Sequence, residues 1–466
     1  MKNERVEDFY PLSPMQEGIL FHTLRAPASG LYVPQLGALV RGDFEVEAFT
    51  RAWREVLELH AVLRTSFVWE GLKRPVQVVQ RGVKLPVRQD DWRSLSAAGR
   101  EKELGRFLEA DRERGFSLGE APLTRLSLLQ VADDAYYFVW SHHHLLLDGW
   151  SARLVLQDVL TFYDAFRRGR QVAPERPRPY RDYIVWLHRQ DLCQAEGFWR
   201  RTLRGFSQPT PLGMAVAPDG QRPPPPEQAE EEFRLPETTT AGLQALAQRQ
   251  HLTLNTIVQG MWALLLSRYS GAEDVVYGAV VSGRPDELAG AALMIGLFIN
   301  TLPVRVHVAA EEPLLAWLKR FQGQLSELRE YQHSPLVEIQ GWSEVPRGQP
   351  LFESILSFDH FPVSLPLERL GGSCEIIQTH STQRSSFPLA VVVVPGQELS
   401  VRISGDGRRF DAATVTRISR HLERLLRNVL TQAHEAVGSL RMLSEEEEIL
   451  LRKPTYVEAL DEGFSF

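Results

Sequence analysis

The stretch SHHHLLLDGWS, residues 141–151, sets three histidines ahead of three leucines, an aspartate and a glycine. Its surroundings decide the local fold. Upstream, APLTRLSLLQVADDAYYFVWSHHH (residues 121–144) holds two strand-like runs, one ending near Gln130 and one starting near Tyr136. The Ala-Asp-Asp between them reads as the turn of a hairpin. Downstream, SARLVLQDVLTFYDAFRRG (151–169) has helical spacing, with Leu154, Leu156, Val159, Leu160, Phe162 and Tyr163 as its buried stripe. Ser151 is the expected N-cap and Gly169 the expected stop. The histidines therefore stand where a strand runs out into a tight turn before a helix. Side chains there project from rigid structure into whatever lies beyond it.

The rest of the chain reads the same way, helix and strand mixed. FEVEAFTRAWREVLELH (44–60) places Phe49, Trp53, Val56, Leu57 and His60 on one helical face, and AVLRTSFVWE (61–70) follows as a strand entered at about Arg64. Two proline-rich breaks come next: APERPRPYRDY (173–183) closes the first half, and APDGQRPPPPEQAEEEF (217–233) reads as a solvated linker around Pro223 to Pro226. LTLNTIVQGMWALLLSRYSG (252–271) is a buried helix with Thr253 as N-cap, and DVVYGAVVSGRP (274–285) a strand and turn. MIGLFINTLPVRV (294–306) is apolar enough for a central strand; SFPLAVVVV (386–394) and LSVRISGD (399–406) read as two more, and AATVTRISRHLERLLRNVL (412–430) as an amphipathic helix. Without a clean βαβ alternation, this pattern favours an α+β sandwich in each half.

Composition bounds the class. A chain of 466 residues fits two domains of about 200 residues better than one core. Its 43% apolar and 24% charged residues are those of a globular protein, and the net charge of −7 argues against a nucleic-acid or anionic-membrane surface. Cys193 and Cys374 lie far apart, outside any ligand spacing, and are expected as free thiols. The opening MKNERVEDFYPLSP has no apolar core of signal-peptide length, and no run of about 18 apolar residues follows. A cytoplasmic protein is expected.

Three histidines invite a metal. On a strand, His142 and His144 would share a side while His143 points away, and no Cys- or His-rich partner segment completes a ligand set, so no metal is expected. Standing alone, the triplet would read as packed or surface histidines. It does not stand alone: His144 to Gly149 forms HxxxDG at the strand end, with the glycine permitting close approach by a ligand chain. Asp148, buried among leucines, needs a cation, for which Arg64 in LRTSF is the expected partner. A neutral imidazole can accept a proton or a hydrogen bond from a nucleophile. There is no G-x-S-x-G elbow and no phosphate-binding glycine loop. An acyl transfer between two substrates that arrive activated would need neither.

These residues resemble a known family. HHLLLDGWS (143–151) is similar to the HHxxxDG motif of the condensation domains of nonribosomal peptide synthetases. YPLSPMQEGILFHTL (10–24) resembles the first core motif of that family, LELHAVLRTSF (57–67) the second, YRDYIVWL (180–187) the fourth, IGLFINTLPVRV (295–306) the fifth and YQHSPLVEI (331–339) the sixth. The last motif departs: Arg384-Ser385-Ser386-Phe387-Pro388-Leu389 has Ser386 where an asparagine is common.

The resemblance implies an α+β fold of two chloramphenicol-acetyltransferase-like lobes in a V, with the active site between them. The expected division is an N-terminal lobe at 1–185, a C-terminal lobe at 186–455 and a tail at 456–466. It implies peptide-bond formation between a donor acyl or peptidyl thioester and an acceptor aminoacyl thioester. Each is carried on the phosphopantetheine of a peptidyl carrier protein domain, an adenylation domain is a possible neighbour, and this domain binds no cofactor of its own. A monomer without membrane or nucleic-acid partners is expected. By resemblance His144 is catalytic, positioning the amine or taking its proton. His143, Asp148, Arg64 and Gly149 support it, with Asp148 paired to Arg64, and Trp150, Ser151 and Ser386 are substrate-tunnel candidates. The centre of the first motif, Met15-Gln16-Glu17, is more like the subclass that takes a D-configured donor. Epimerising or cyclising relatives, ester formation and a silent scaffold are the alternatives. Neither an adenylation signature nor a carrier motif is seen, so an excised domain and a free-standing enzyme both stay open.

Overall fold

In the computed structural model, which describes residues 5–172, 176–212, 228–359, 374–382 and 384–452, the expected hairpin forms as β6 (Thr124–Ala132) and β7 (Ala135–His142). It lies inside a five-stranded sheet. The strand β2 (Gln35–Arg41) pairs antiparallel with β7 on the side away from β6, and β12 (Glu375–Thr382) pairs antiparallel with β2. On the far side β5 (Val87–Asp91) runs parallel to β6.

Both faces of β7 are buried, and the two faces differ. Trp140 and Phe138 point into a core shared with the helices α2 (Val46–Leu59) and α4 (Gly149–Arg167). Tyr137 and Val139 pack with Phe107 and Leu108 of α3 (Ala97–Arg114). The helix α1 (Pro14–Arg25) begins at a capping box, in which Ser13 Oγ accepts from the Gln16 N–H and the Gln16 side chain accepts from the Ser13 N–H. A second, three-stranded sheet runs β1 (Val6–Pro11), β4 (Val76–Gln80), β3 (Thr65–Val68). Two helices, α5 (Tyr180–Leu187) and α6 (Leu192–Thr202), follow the first proline-rich segment.

The expected boundary at 185/186 is not the line along which contacts divide the chain. One compact unit comprises residues 1–209, 277–305 and 327–396; the other comprises 210–276, 306–326 and 397–466. In the second unit β8 (Gln228–Leu235) pairs antiparallel with β14 (Leu399–Asp406), whose Leu399, Val401 and Ile403 are buried. Packed with them are α7 (Glu237–Gln250), the nearly wholly buried α8 (Leu254–Ser270), capped by Thr253 as expected, and α11 (Ala412–Thr431), with α9 (Leu314–Glu330) and α12 (Glu445–Arg452) completing the helices there. In the first unit β9 (Asp274–Val281) and β13 (Leu389–Val394) both run parallel to β11 (Ser354–Phe358), which lies between them, and the short helix α10 (Leu336–Trp342) precedes β11.

One strand departs from expectation. The run MIGLFINTLPVRV is not a central strand: β10 (Asn300–His307) begins six residues into it and lies beside β9 at the sheet's edge. Its apolar first half is buried differently, with Met294 and Phe298 packed around Tyr180 and Tyr183, and Ile295 and Leu297 in the core that holds Trp140. The proline-rich linker around Pro223 to Pro226 and the tail at 456–466 lie outside the described residues. Among the described residues no helix is long and apolar enough to cross a membrane.

Candidate active site

The sheet holds the histidines by their backbones before their side chains do anything. The His142 N–H donates to Pro34 O (3.2 Å), the His143 N–H to Leu123 O (2.9 Å) and the His144 N–H to Tyr32 O (2.9 Å). Beyond His142 the strand ends and a turn begins, in which the Leu146 N–H returns to His143 O (3.0 Å). Strand alternation therefore does not extend to His144, and the three rings face three environments. Leu145, Leu146 and Leu147 are fully buried and fasten the turn to the core.

His142 stacks on Trp140, with centroids 4.6 Å apart. The Nδ1 atom of His143 accepts the Leu145 N–H (3.1 Å), which assigns the proton to Nε2, 3.4 Å from Thr23 Oγ1. Thr23 in turn donates to Ile19 O, so its lone pairs are free to receive His143. His143 is committed to α1. His144 is not committed: Nδ1 is sealed without a hydrogen-bond partner, and no partner engages Nε2 among the described residues. Burial pushes the His142 and His143 rings down to about 3. Burial lowers His144 as well, partly opposed by the carbonyls of His144 and Leu147 and by the Asp148 carboxylate. None of them makes a hydrogen bond of good geometry to Nδ1. All three rings are neutral near pH 7. Among the described residues no three metal-ligating side chains are grouped to hold an ion.

Asp148, not Ser151, caps α4: its Oδ1 accepts the Ser151 N–H at 2.8 Å. Its Oδ2 accepts the Phe298 N–H at 2.9 Å, and its ionic partner is Arg284, 3.6 Å away. The expected pairing with Arg64 is therefore wrong. Arg64 ends a 3-10 turn (Ala61–Arg64) that follows α2, so its side chain runs back to the carbonyls of Leu57 and Glu58. Its Nη1 reaches Gln80 O and the Glu7 carboxylate (2.7 Å) instead.

Arg284 is the residue that sequence reasoning missed, inside the turn VVSGRP. Its guanidinium lies 3.9 Å from the Phe298 ring centroid, donates to Ser151 Oγ (2.7 Å), and donates to the carbonyls of Ala291 and Met294. Ser151 Oγ also donates to Gly296 O (2.7 Å) and accepts from Gly296 N (3.1 Å), so this buried hydroxyl is consumed by structure rather than offered to a tunnel. Two glycines make the close approach possible. A Cβ on Gly296 would sit 2.1 Å from the Tyr180 ring, and one on Gly283, at φ +61°, 1.9 Å from Phe298 O. A glycine before an arginine, with another glycine a short way downstream, was the available signal.

The other candidates fall around this clamp. Gly149 is exposed, and a Cβ there would meet nothing within 4 Å. Trp150 is half-buried and donates from Nε1 to Ala292 O (3.0 Å). Ser386 is exposed and lies near the phenol of Tyr32, the residue whose carbonyl holds His144. From α1, Gln16 Nε2 donates to Leu145 O (2.9 Å), so the first motif touches the histidine turn directly. Gln16 and Gln77 also exchange reciprocal amide hydrogen bonds.

The chain matches the profile of the family described as Condensation domain over residues 6–451. It belongs to the condensation-domain family. It is 43% identical over 446 residues to a linear gramicidin synthase protein of Brevibacillus parabrevis, covering 96% of this chain and 6% of that protein. Surfactin synthase subunit 3 of Bacillus subtilis (strain 168) is 31% identical, with 95% of this chain and 34% of that protein covered. This condensation domain thus spans a small part of the length of its relatives. Its fold is that of the starter condensation domain of rhizomide synthetase (TM-score 0.79, 21% identity, 94% and 98% of the two chains). The first condensation domain of the calcium-dependent antibiotic synthetase matches at a TM-score of 0.78 and 18% identity, over 94% of this chain and 100% of that one. The mixed helix-and-sheet architecture expected from the sequence is the one observed.

Two expectations follow for this clamp. Removing either Arg284 or Asp148 leaves a buried charge or polar atoms without partners, so each alanine variant should lose roughly 3–5 kcal/mol of stability. A double-mutant cycle by denaturant unfolding should give strong coupling between Arg284 and Asp148 and none between Arg64 and Asp148. Second, because burial lowers His144, its ring should remain neutral at pH 6.5 and titrate below that value, as followed by ring-carbon NMR shifts. A ring that protonates above pH 6.5 would contradict the placement described for it.

Proposed function

We propose that this condensation domain joins two carrier-bound substrates by thioester aminolysis. The free amine of an aminoacyl thioester attacks the carbonyl carbon of an acyl or peptidyl thioester. A C–N bond forms, the C–S bond breaks, the donor's phosphopantetheine sulfur leaves as thiolate, and the proton lost from nitrogen ends on that sulfur. The donor and acceptor carrier domains are the partners, with an adenylation domain as neighbour and the cytoplasm as compartment. The reading asks this chain to hold no cofactor, since both arms arrive on the partners.

The observation that carries the reading is His144, a neutral ring whose imidazole has no hydrogen-bond partner of good geometry among the described residues, beside three anchored leucines. Thioesters are already activated, so the enzyme must supply proximity, orientation and a hydrogen-bond acceptor rather than a covalent relay. A ring whose basicity burial has lowered is a poor final home for a proton but a good acceptor for one N–H. His144 therefore orients the attacking amine and passes its proton on, a role typically worth about 10² to 10⁴ in rate. Asp148 and Arg284 act on the turn and do not touch the substrate.

With two loaded carrier domains, His144→Ala should lose product formation by about that factor while its melting temperature stays near wild type. Gly149 gives an independent test: Gly149→Ala should keep or slightly raise stability, by up to about 1 kcal/mol, because no described residue beyond its chain neighbours lies within 4 Å of the added methyl. Gly149→Val should fold and yet lose turnover, because no described residue beyond its chain neighbours lies within 4 Å of its Cβ and the reading places a substrate arm there. Normal turnover in His144→Ala would take His144 out of the chemistry, whereas no product from the unaltered domain would leave the silent scaffold as the better reading.

Donor configuration is the finer part of the proposal. The Gln16–Leu145 hydrogen bond gives the first motif a physical route to the histidine turn. With one fixed acceptor, D-configured donor thioesters should be consumed in preference to L-configured ones on the same carrier; preferred use of the L-donor would reverse this assignment and leave the chemistry intact.

A further inference from the structure

A second buried carboxylate lies behind the histidines, on the face of the sheet opposite Trp140. Along β7 the side chains on that face are Tyr137, Val139 and then Ser141, so an apolar run ends in a hydroxyl directly before His142. The facing helix α3 makes the same change. Phe107 and Leu108 pack on the apolar run, and one turn later the same stripe presents Asp111.

The strands answer with a complete polar row. In register, Thr382 of β12 stands opposite Gln35 of β2, Gln35 opposite Ser141 of β7, and Ser141 opposite Arg125 of β6. Residues so paired share a face. Asp111 gathers them. Its Oδ1 accepts from Arg125 Nε (2.7 Å) and Arg114 Nη2 (2.9 Å), and its Oδ2 from Gln35 Nε2 (2.9 Å) and Ser141 Oγ (2.6 Å). Thr382 Oγ1 donates to Gln35 Oε1 (3.3 Å) and extends the row to the fourth strand. A carboxylate has about four acceptor sites, and all are used.

We propose that this row, tied off by Asp111, fixes the register of the strand ends and thereby the position of His144, making Asp111 and Ser141 positioning residues for condensation. The inference rests on the role given to His144 above. Three arguments support it. A buried ion pair seldom adds net stability over apolar packing of the same shape, so stability alone does not account for the Asp111–Arg125 pair. A slip of one residue in β7 would turn Trp140 and His142 to α3 and Ser141 into the core beside Trp53 of α2, which Trp140 now fills; the row, read by four strands at once, forbids it. The row also reaches the histidines laterally: the Arg125 guanidinium covers the Phe116 ring at 4.1 Å, and Phe116 meets the His143 ring edge-on at 6.4 Å.

Burial alone would raise the Asp111 carboxyl, but Arg125, with the hydrogen bonds from Ser141 and Gln35, holds it below the ordinary carboxylate value. The group is therefore ionised throughout the range in which the enzyme would be assayed.

The test separates position from stability. Ser141→Ala removes one hydroxyl, leaves no charge unpaired, and should lower kcat about tenfold with KM for both carrier substrates unchanged. The His144 ring resonances should shift in the same variant, and Ser141→Thr, which keeps the hydroxyl, should restore both. The double variant Asp111→Leu/Arg125→Met replaces the pair by apolar packing and should keep most of the melting temperature while losing kcat. Wild-type kcat together with unmoved His144 resonances in Ser141→Ala would overturn the proposal, whatever the melting temperature does. His144→Ala measured alongside distinguishes the two readings: if it turns over normally, the role of His144 fails, whereas the resonance shift still reports on the row.

Discussion

The carboxylate of Asp148 is the constraint on which the histidine turn depends. It is almost fully buried, and it closes the first turn of α4, receives the Phe298 N–H and faces Arg284 at the same time. Those contacts join pieces of chain about 150 residues apart in sequence into one body. A buried carboxylate is tolerable only because each oxygen is satisfied, and it is satisfied largely by backbone N–H groups whose positions helices and close glycine contacts set. Ser151 and Gly296 finish the joint with a reciprocal pair of hydrogen bonds.

Because the joint holds the turn from the α4 side while the sheet holds it from β7, His144 is fixed at both ends of a short connection. None of that fixing uses the imidazole. The division has a physical logic: backbone groups and a buried charge hold the turn, and the imidazole proposed to meet a substrate makes no hydrogen bond of good geometry among the described residues. The neighbours show the contrast. His143 has spent Nδ1 on the Leu145 N–H and turns Nε2 toward Thr23, and His142 is stacked on Trp140 with its Nδ1 sealed.

Much of this was legible in the sequence, for identifiable reasons. The hairpin, α4, α8 and α11 follow from local periodicity and turn chemistry, which is information a window of residues contains. The same local patterns place the histidines where a strand runs out and Gly149 at a helix start, as observed. What was missed is non-local. Asp148 was rightly expected to need a cation, but sequence offers several arginines and no distances, and the motif arginine Arg64 stood out over Arg284. Ser151 looked like an N-cap because its residue type is right; the true cap lies three residues earlier, where the same chemistry is available from Asp148. The apolar run from Met294 suggested a central strand because burial and strand formation look alike in composition. It is buried by the first unit's cores, and only its second half joins a sheet.

The polar row behind β7 makes the same point from the other direction. Gln35, Ser141, Arg125 and Asp111 are each unremarkable in their own segments, and an isolated arginine or serine on a predicted strand says little. Their meaning appears only when register sets them opposite one another and a helix brings one carboxylate to all of them. Sequence motifs mark the atoms that meet a substrate because those atoms are close together along the chain. The atoms that hold them still come from many segments, so their pattern is written in pairings rather than in spacings. A condensation domain, whose chemistry asks mainly for orientation, should therefore keep much of what determines its rate in residues that no linear motif contains.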